Sequence, residues 1–466
     1  MLQGLCREHE FTVFAVEFEN PYPERIGKLG GCFCYGVYLK GGCKVTIVVA
    51  NTWHDSNKGD AAILEGVLKE LRNGCKYAGQ IVVIPSIHPS SSLALGMLRH
   101  SAKTEALAVF PPSVPAFPRH KLDWIWQIPR AFLKLIEPRL LPSRPDESAI
   151  EQAGGVILTG GLYLAFPHRS SFRLPFRLFA YLYPTLYGKR LGKPVILFGH
   201  SLGPFENGLS RVLMKLALQG TVLIARESKS AELAKRLAGD KVHILVAPDP
   251  AFGIRPHVSP LVQDFLQTKG LSEGSFIAFV PRGLRGYGWS ADEERAYVAN
   301  LAFVAKSQLK RGRRVVFVAH TQGPTLAEDD RIIVKEIQAL LGEKGVDWFG
   351  LEEDPSPAEL AYFYSKASVV VTTRFHGAVL SLLSGTPTIV IPYFGTKAQG
   401  VFEDLGLQDF ILDIRDPQFA TKLEALLEEI YQKYTLVKER FRQAAEKSSA
   451  ILRQVVLGEI CPSLGG

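Results

Sequence analysis

The sequence predicts an α/β protein built from two doubly wound parallel-sheet domains, each Rossmann-like, facing each other across a cleft. Three observations predict it. Short β-branched runs alternate with segments of helical spacing, hairpin signals are scarce, and the alternation lapses once near the middle before it restarts. The 466 residues suit two domains at roughly 100–200 residues each. Hydrophobic residues make up 47% of the chain and charged ones 21%, a globular balance that can bury large cores without disulfides or structural metal.

Residues 1–43 are Cys- and Gly-rich without clear periodicity and read as an N-terminal extension for which no order is predicted. The N-terminal domain is expected over 44–255. It opens with the buried strand Val45-Thr-Ile-Val-Val-Ala-Asn51. A loop follows, and Asp60 stands at the N-cap position ahead of the helical spacing of 61–71. Further strands fall at 81–84, 155–158, 194–198, 222–225 and 242–246, with helices near 209–219 and 231–237. After a Pro- and Gly-punctuated stretch at 253–275, a C-terminal domain over 275–420 carries strands at 276–280, 314–319, 369–372 and 388–391. Amphipathic helices within 421–466 close the chain. Two such halves put a ligand cleft at the carboxyl ends of both sheets, the architecture called GT-B.

Composition excludes several classes of function. The net charge of +8 is spread out, with no block of basic residues and no nucleic-acid-binding signature, so no nucleic-acid partner is expected. The six cysteines lack histidines at zinc-ligand spacing and read as free thiols in a reducing compartment. No metal site is expected, and Asp329-Asp330 reads as a helix start. Charged residues at 7–10 stand where a leader would be apolar, and no run reaches the ~18 apolar residues of a membrane span. Cytoplasmic location is therefore the expectation. The segment 100–190 mixes aromatics with Arg and Lys, as in Trp124-Ile-Trp126, Arg130-Ala-Phe-Leu-Lys134 and Phe172-Arg-Leu-Pro-Phe-Arg-Leu-Phe179. That mixture suits peripheral contact with a membrane or a lipid-linked substrate. The competing reading, core aromatics edged by solvated basic residues, is preferred.

The chemistry concentrates in Ser368–Tyr393. A buried strand ends at Thr372 or Thr373, a helix opens near Phe375–Gly377, and Gly385 with Pro387 ends it. Arg374 and His376 thus stand where strand becomes helix, at a site that favours anions. Gly377 is expected to leave room for a ligand near the backbone. Lys397 follows the next strand and can face the same cleft. An arginine, a lysine and a histidine together fit a ligand bearing phosphate and carboxylate, plus a proton-transfer group.

This stretch resembles the polysaccharide pyruvyl transferase family, and the likeness runs from about Val45 to about Ile414. Asn51 with Gly59-Asp60-Ala61-Ala-Ile63 resembles the family's opening element, and Gly199-His-Ser-Leu-Gly-Pro204 its Gly-Pro turn. Arg226-Glu-Ser-Lys-Ser230, Asp249-Pro250-Ala251-Phe252, Arg374-Phe-His376, Gly385-x-Pro387 and Lys397 follow in the family's order. Glu227 replaces the usual aspartate, and the glycine-rich turn is reduced to Gly160-Gly161. The resemblance implies transfer of a pyruvyl group from phosphoenolpyruvate to a sugar of a cell-envelope or exopolysaccharide unit, forming a ketal and releasing phosphate. It implies His376 as acid–base group, Arg374 and Lys397 with Gly377 on the donor in the C-terminal domain, and Arg226 as a further donor contact from the N-terminal domain when the cleft closes. Asn51, Asp60 and Asp249 would line the acceptor side. No cofactor is expected beyond phosphoenolpyruvate as co-substrate. The saccharide acceptor would be lipid-linked if the enzyme works at the inner face of the membrane. Two alternatives stand: a nucleotide-sugar-dependent glycosyltransferase of the same architecture, and a non-catalytic saccharide-binding or scaffold protein.

Overall fold

The computed structural model describes residues 46–464 except 89–97, 99–106, 119, 121, 162, 165–173, 206, 343–345 and 394–396, together with the side chain of Lys397. The expected extension over 1–43 lies outside the described residues.

The first half forms one parallel sheet of seven strands: β1 (Thr46–Thr52), β2 (Ile81–Pro85), β3 (Ala108–Val109), β4 (Ala153–Gly161), β5 (Val195–His200), β6 (Val222–Ala225) and β7 (His243–Val246). Their order is β3-β2-β1-β4-β5-β6-β7. The second half forms a parallel sheet of five: β8 (Phe276–Val280), β9 (Arg314–Val318), β10 (Val346–Phe349), β11 (Val369–Thr372) and β12 (Thr388–Val390), ordered β10-β9-β8-β11-β12. Helices cover both faces, so the central strands are buried throughout and their Val/Ile runs carry no polar alternation. Strand order reverses between β1 and β4 in one sheet and between β8 and β11 in the other. Crevices of doubly wound sheets open at such switch points.

The helices are α1 (Lys58–Lys69), α2 (Asp123–Ile136), α3 (Pro145–Gln152), α4 (Leu174–Arg190), α5 (Gly208–Leu218), α6 (Ser228–Ala238) and α7 (Pro260–Thr268) in the first half and linker. Those of the second half are α8 (Ala291–Lys310), α9 (Asp330–Leu341), α10 (Pro357–Lys366), α11 (Phe375–Leu383), α12 (Lys397–Asp404), α13 (Phe419–Gln432) and α14 (Tyr434–Val455). α1 starts earlier than its spacing predicts. Asn57 is the cap, accepting from Gly59 N–H at 3.2 Å, and Asp60 falls in the first turn. α9 begins as expected at the Asp329-Asp330 pair, with Asp329 as cap.

One apolar core is continuous from β1 and α1 through Phe252 into β8, β9 and β11. A second core fills the other face of the seven-stranded sheet under α2 to α6. The two halves therefore share buried surface rather than meeting at a loose hinge. α14 packs on α11 and on the turn Pro250–Gly253. Beyond it Cys461 forms a disulfide with Cys75, across 386 positions. This corrects the reading of all six cysteines as free thiols. Disulfides belong to oxidising compartments, so cysteine usage lends no support to a reducing one.

The aromatic and basic segment also departs from the preferred reading. Lys134 is fully buried and Arg130 is held by the Glu147 carboxylate, whereas Trp126 and Phe132 face outward. Among the described residues no helix is long and apolar enough to cross a membrane.

Candidate functional site

β11 is a run of valines buried between layers, and it delivers Arg374 to the carboxyl edge of the second sheet. Thr372 Oγ1 accepts from Arg374 N–H at 3.0 Å and fixes the turn into α11. The guanidinium reaches sideways to α9. Its Nε lies 2.8 and 3.0 Å from the two Asp330 oxygens, and Nη2 donates to Asp330 and to Glu328 O at 2.9 Å. Asp330 also accepts from Thr321 N–H at 2.9 Å and is completely buried. Burial works against the charge on Arg374, and the facing Asp330 carboxylate more than offsets it, so the guanidinium stays a cation. What Arg374 brings to the site is a fixed charge, not a mobile arm.

His376, the second residue of α11, faces the first domain. A Cβ added to Gly59 would lie 2.2 Å from its Nδ1 and 2.7 Å from its Cγ, so only glycine lets the imidazole rest on the start of α1. His376 Nε2 is 3.5 Å from Asp249 Oδ2. Asp249 also accepts from Arg226 Nη1 at 2.7 Å and from Ala251 N–H at 3.0 Å. Burial alone would raise the Asp249 carboxyl. The charge and hydrogen bonding of His376, with Arg226 and Ala251 N–H, win and hold it well below the ordinary carboxylate range. Arg226 in turn bonds Ser201 Oγ at 2.7 Å and lies 4.5 Å over the Phe375 ring. Residues of both domains thus form one network, Phe375–Arg226–Asp249–His376, in which Arg226 and Asp249 are buried and the other two half-buried.

Other expected site residues fall nearby or elsewhere. Asn51, next to last in β1, has a left-handed φ of 65° and donates to Tyr181 O at 2.7 Å, tying the sheet edge to α4. Asp60 lies beside Gly161, at the β1/β4 switch point. The space at Gly377 is taken by Thr372, whose Oγ1 would be 2.5 Å from an added Cβ, so this glycine serves helix–sheet packing and not room for a ligand. Lys397 opens α12, and its side chain lies outside the described residues.

Sequence reasoning missed Arg282. It follows β8 as Arg374 follows β11, so the two flank the β8/β11 switch point. Arg282 is 3% exposed and sits 4.0 Å from the Tyr287 ring and 4.5 Å from that of Tyr393, donating to the Tyr393 hydroxyl through Nη1. Its Nε and Nη2 are buried with no hydrogen-bond partner among the described residues. The signal was available: an arginine two residues past a buried strand in a doubly wound sheet. His320, past the end of β9, was also missed. Its Nδ1 meets Tyr364 Oη at 2.9 Å. Burial first, then the charges of Arg374, His376, Lys58 and Arg282, keep this imidazole neutral. Lys58, buried in the first turn of α1, pairs across the domain boundary with Asp354.

Chemically, the edge of the second sheet offers two fixed guanidinium groups, one with uncommitted donors. Beside them an imidazole of the second domain, His376, is coupled to a carboxylate of the first, Asp249. Such a site suits an anionic ligand and a proton transfer.

Comparison with known proteins bears on the family and the fold. A family model described as polysaccharide pyruvyl transferase matches residues 57–394. The amylovoran biosynthesis protein AmsJ of Erwinia amylovora is 24% identical over 228 residues, covering 48% of this chain and 54% of that protein. The match thus spans about half the length of that relative. Among solved structures, Anabaena Alr3699/HepE in complex with UDP and glucose superposes with a TM-score of 0.55 at 13% identity, covering 91% of this chain and all of that one. A putative UDP-N-acetylglucosamine 2-epimerase from Listeria monocytogenes gives 0.57 at 11% identity, covering 90% of this chain and 96% of its own. At such identities the likeness concerns the GT-B-type fold alone. With the family match spanning most of the chain, the protein belongs to the polysaccharide pyruvyl transferase family.

Proposed function

We propose that this chain transfers a pyruvyl group from phosphoenolpyruvate to two hydroxyls of a sugar in a cell-envelope or exopolysaccharide unit. The observation that carries the reading is Arg282, a buried guanidinium whose Nε and Nη2 have no hydrogen-bond partner among the described residues, beside Arg374 and across from the His376–Asp249 pair. Buried donors without partners cost free energy, which an anion bearing phosphate and carboxylate would recover. Family membership supports the same donor, and the amylovoran relative supports an exopolysaccharide setting.

In this reading Arg282 and Arg374 hold the donor's two anionic groups, with Lys397 and Arg226 at the margins. His376 gives a proton to the enol carbon. The ketal carbon, now electron-poor, bonds to the first sugar oxygen, and phosphate leaves with its bond electrons. The second hydroxyl then closes the ring. Of the two hydroxyl protons lost, one replaces that given by His376 and the other leaves with phosphate. Asp249 stabilises the protonated imidazole. Asp60, with Asn51 shaping the strand end, serves the acceptor side, where the sugar is lipid-linked if the enzyme works at a membrane. No cofactor enters the scheme.

The test is ligand-induced thermal protection of the full chain. Phosphoenolpyruvate should raise the melting temperature, a nucleotide-sugar should not, and Arg282→Met should abolish the shift. Protection by the nucleotide-sugar alone would replace pyruvyl transfer with glycosyl transfer.

A further inference from the structure

α2 turns its apolar side to solvent. Leu122, Ile125, Trp126, Phe132, Leu133 and Ile136 are 41–80% exposed, with Trp126 the most. Their spacing makes one continuous helical stripe. The opposite side is the packed one. Ile128 and Ala131 are buried, and Lys134 is drawn inward to Leu141 O at 3.0 Å and Ser143 Oγ at 2.8 Å. A helix with Lys134 inside and Trp126 outside is not arranged for water.

α4 contacts both α2 and α5, and its C-terminal end joins them, Arg190 bonding Leu135 O of α2 and Lys189 bonding Leu216 O of α5. On α5, Leu209, Val212 and Leu216 form a second outward stripe, each about half exposed. Basic residues border both stripes. Arg190 caps the end of α2 through Leu135 O at 2.9 Å and Ile136 O at 2.8 Å, and Arg211 bonds Phe205 O at 2.6 Å. These arginines are held by main-chain carbonyls instead of carboxylates, so their charge is available to a partner. Arg139 and Lys215 are exposed alongside, with Glu137 among them. Large exposed apolar patches mark interaction sites, and an apolar stripe with a cationic border is the chemistry of an interfacial helix.

We propose that the α2–α5 face docks on an anionic lipid surface, with Trp126 and its neighbours entering the headgroup boundary and the bordering arginines meeting lipid phosphates. The proposal does not depend on which reaction the cleft performs. It would hold the first domain against the surface that carries a lipid-linked acceptor.

The experiment is co-sedimentation of the full chain with vesicles of phosphatidylcholine alone or mixed with phosphatidylglycerol. Binding is expected to the mixed vesicles, to weaken with salt, and to be absent with phosphatidylcholine. The double variant Trp126→Ser/Ile136→Ser should bind at least about tenfold more weakly, while keeping the wild-type melting temperature and ligand protection. Equal vesicle binding by wild type and variant would overturn the proposal. So would no binding to mixed vesicles together with a concentration-dependent dimer that the variant loses, which would assign the face to a second copy of the chain.

Discussion

Gly59→Ala is a small substitution with a large predicted consequence. The new methyl carbon would stand 2.2 Å from His376 Nδ1, 2.7 Å from Cγ and 3.1 Å from Cβ. Ordinary contact begins near 3.4 Å, so the imidazole must retreat by more than ~1 Å. Because Cβ is also crowded, a ring flip does not relieve the clash. α11 must shift or His376 must leave Asp249. A misplacement of ~1 Å in a reacting group costs about 10²-fold in rate, or about 2.7 kcal/mol of barrier. The fold should tolerate the change, since alanine in the first turn of α1 gains helix propensity of up to ~1 kcal/mol. The assay pairs turnover of phosphoenolpyruvate with thermal denaturation. The predicted result is a rate about 10²-fold lower with a melting temperature within a few degrees of wild type. Wild-type turnover would refute the placement of His376 against α1.

Asp330→Ala should destabilise the chain by ~3–5 kcal/mol in urea unfolding, because it leaves the buried Arg374 charge uncompensated; a loss under ~1 kcal/mol would contradict the pairing. Cys461→Ser, or reductant added to wild type, should lower stability by ~2–4 kcal/mol, since the link to Cys75 closes a 386-residue separation. Equal midpoints with and without reductant would mean the bond is absent in solution. Burial pushes His200 down to about 3 from an ordinary 6.5, and His320 is likewise kept neutral. The unfolded state therefore takes up their protons first, so stability should fall as pH drops below 6.5. Asp249, held below its ordinary 3.8, adds a further loss below that pH. Unfolding measured from pH 7 to 3 should show this decline, and His200→Gln should make it shallower; an unchanged slope would count against a buried neutral His200.

The fold was legible because buried parallel strands write themselves as uninterrupted Val/Ile runs. Strands without such runs escaped. β10 reads Val-Asp-Trp-Phe, with Asp347 paired to Arg314, and β3 is two residues long. Within the site, Arg374, His376, Arg226 and Asp249 stand out because they interrupt apolar runs at strand ends. Sequence could not say that Arg374 is bound to Asp330, 44 positions away, or that Asp249 joins Arg226 to His376. Such pairings depend on how the two sheets are set against each other. The Cys75–Cys461 bond escaped for the same reason: two isolated cysteines at opposite ends of a chain carry no spacing signal. Asn57 escaped notice as the cap of α1 because it precedes Lys58 and Gly59, neither of which opens an apolar period.

The most direct test of the central claim is phosphate release from phosphoenolpyruvate by the purified chain across a panel of sugar acceptors, with His376→Ala alongside. Release should require an acceptor, yield a ketal in equal amount, and disappear in the variant. Release that is independent of any acceptor, or that persists undiminished in His376→Ala, would contradict the claim.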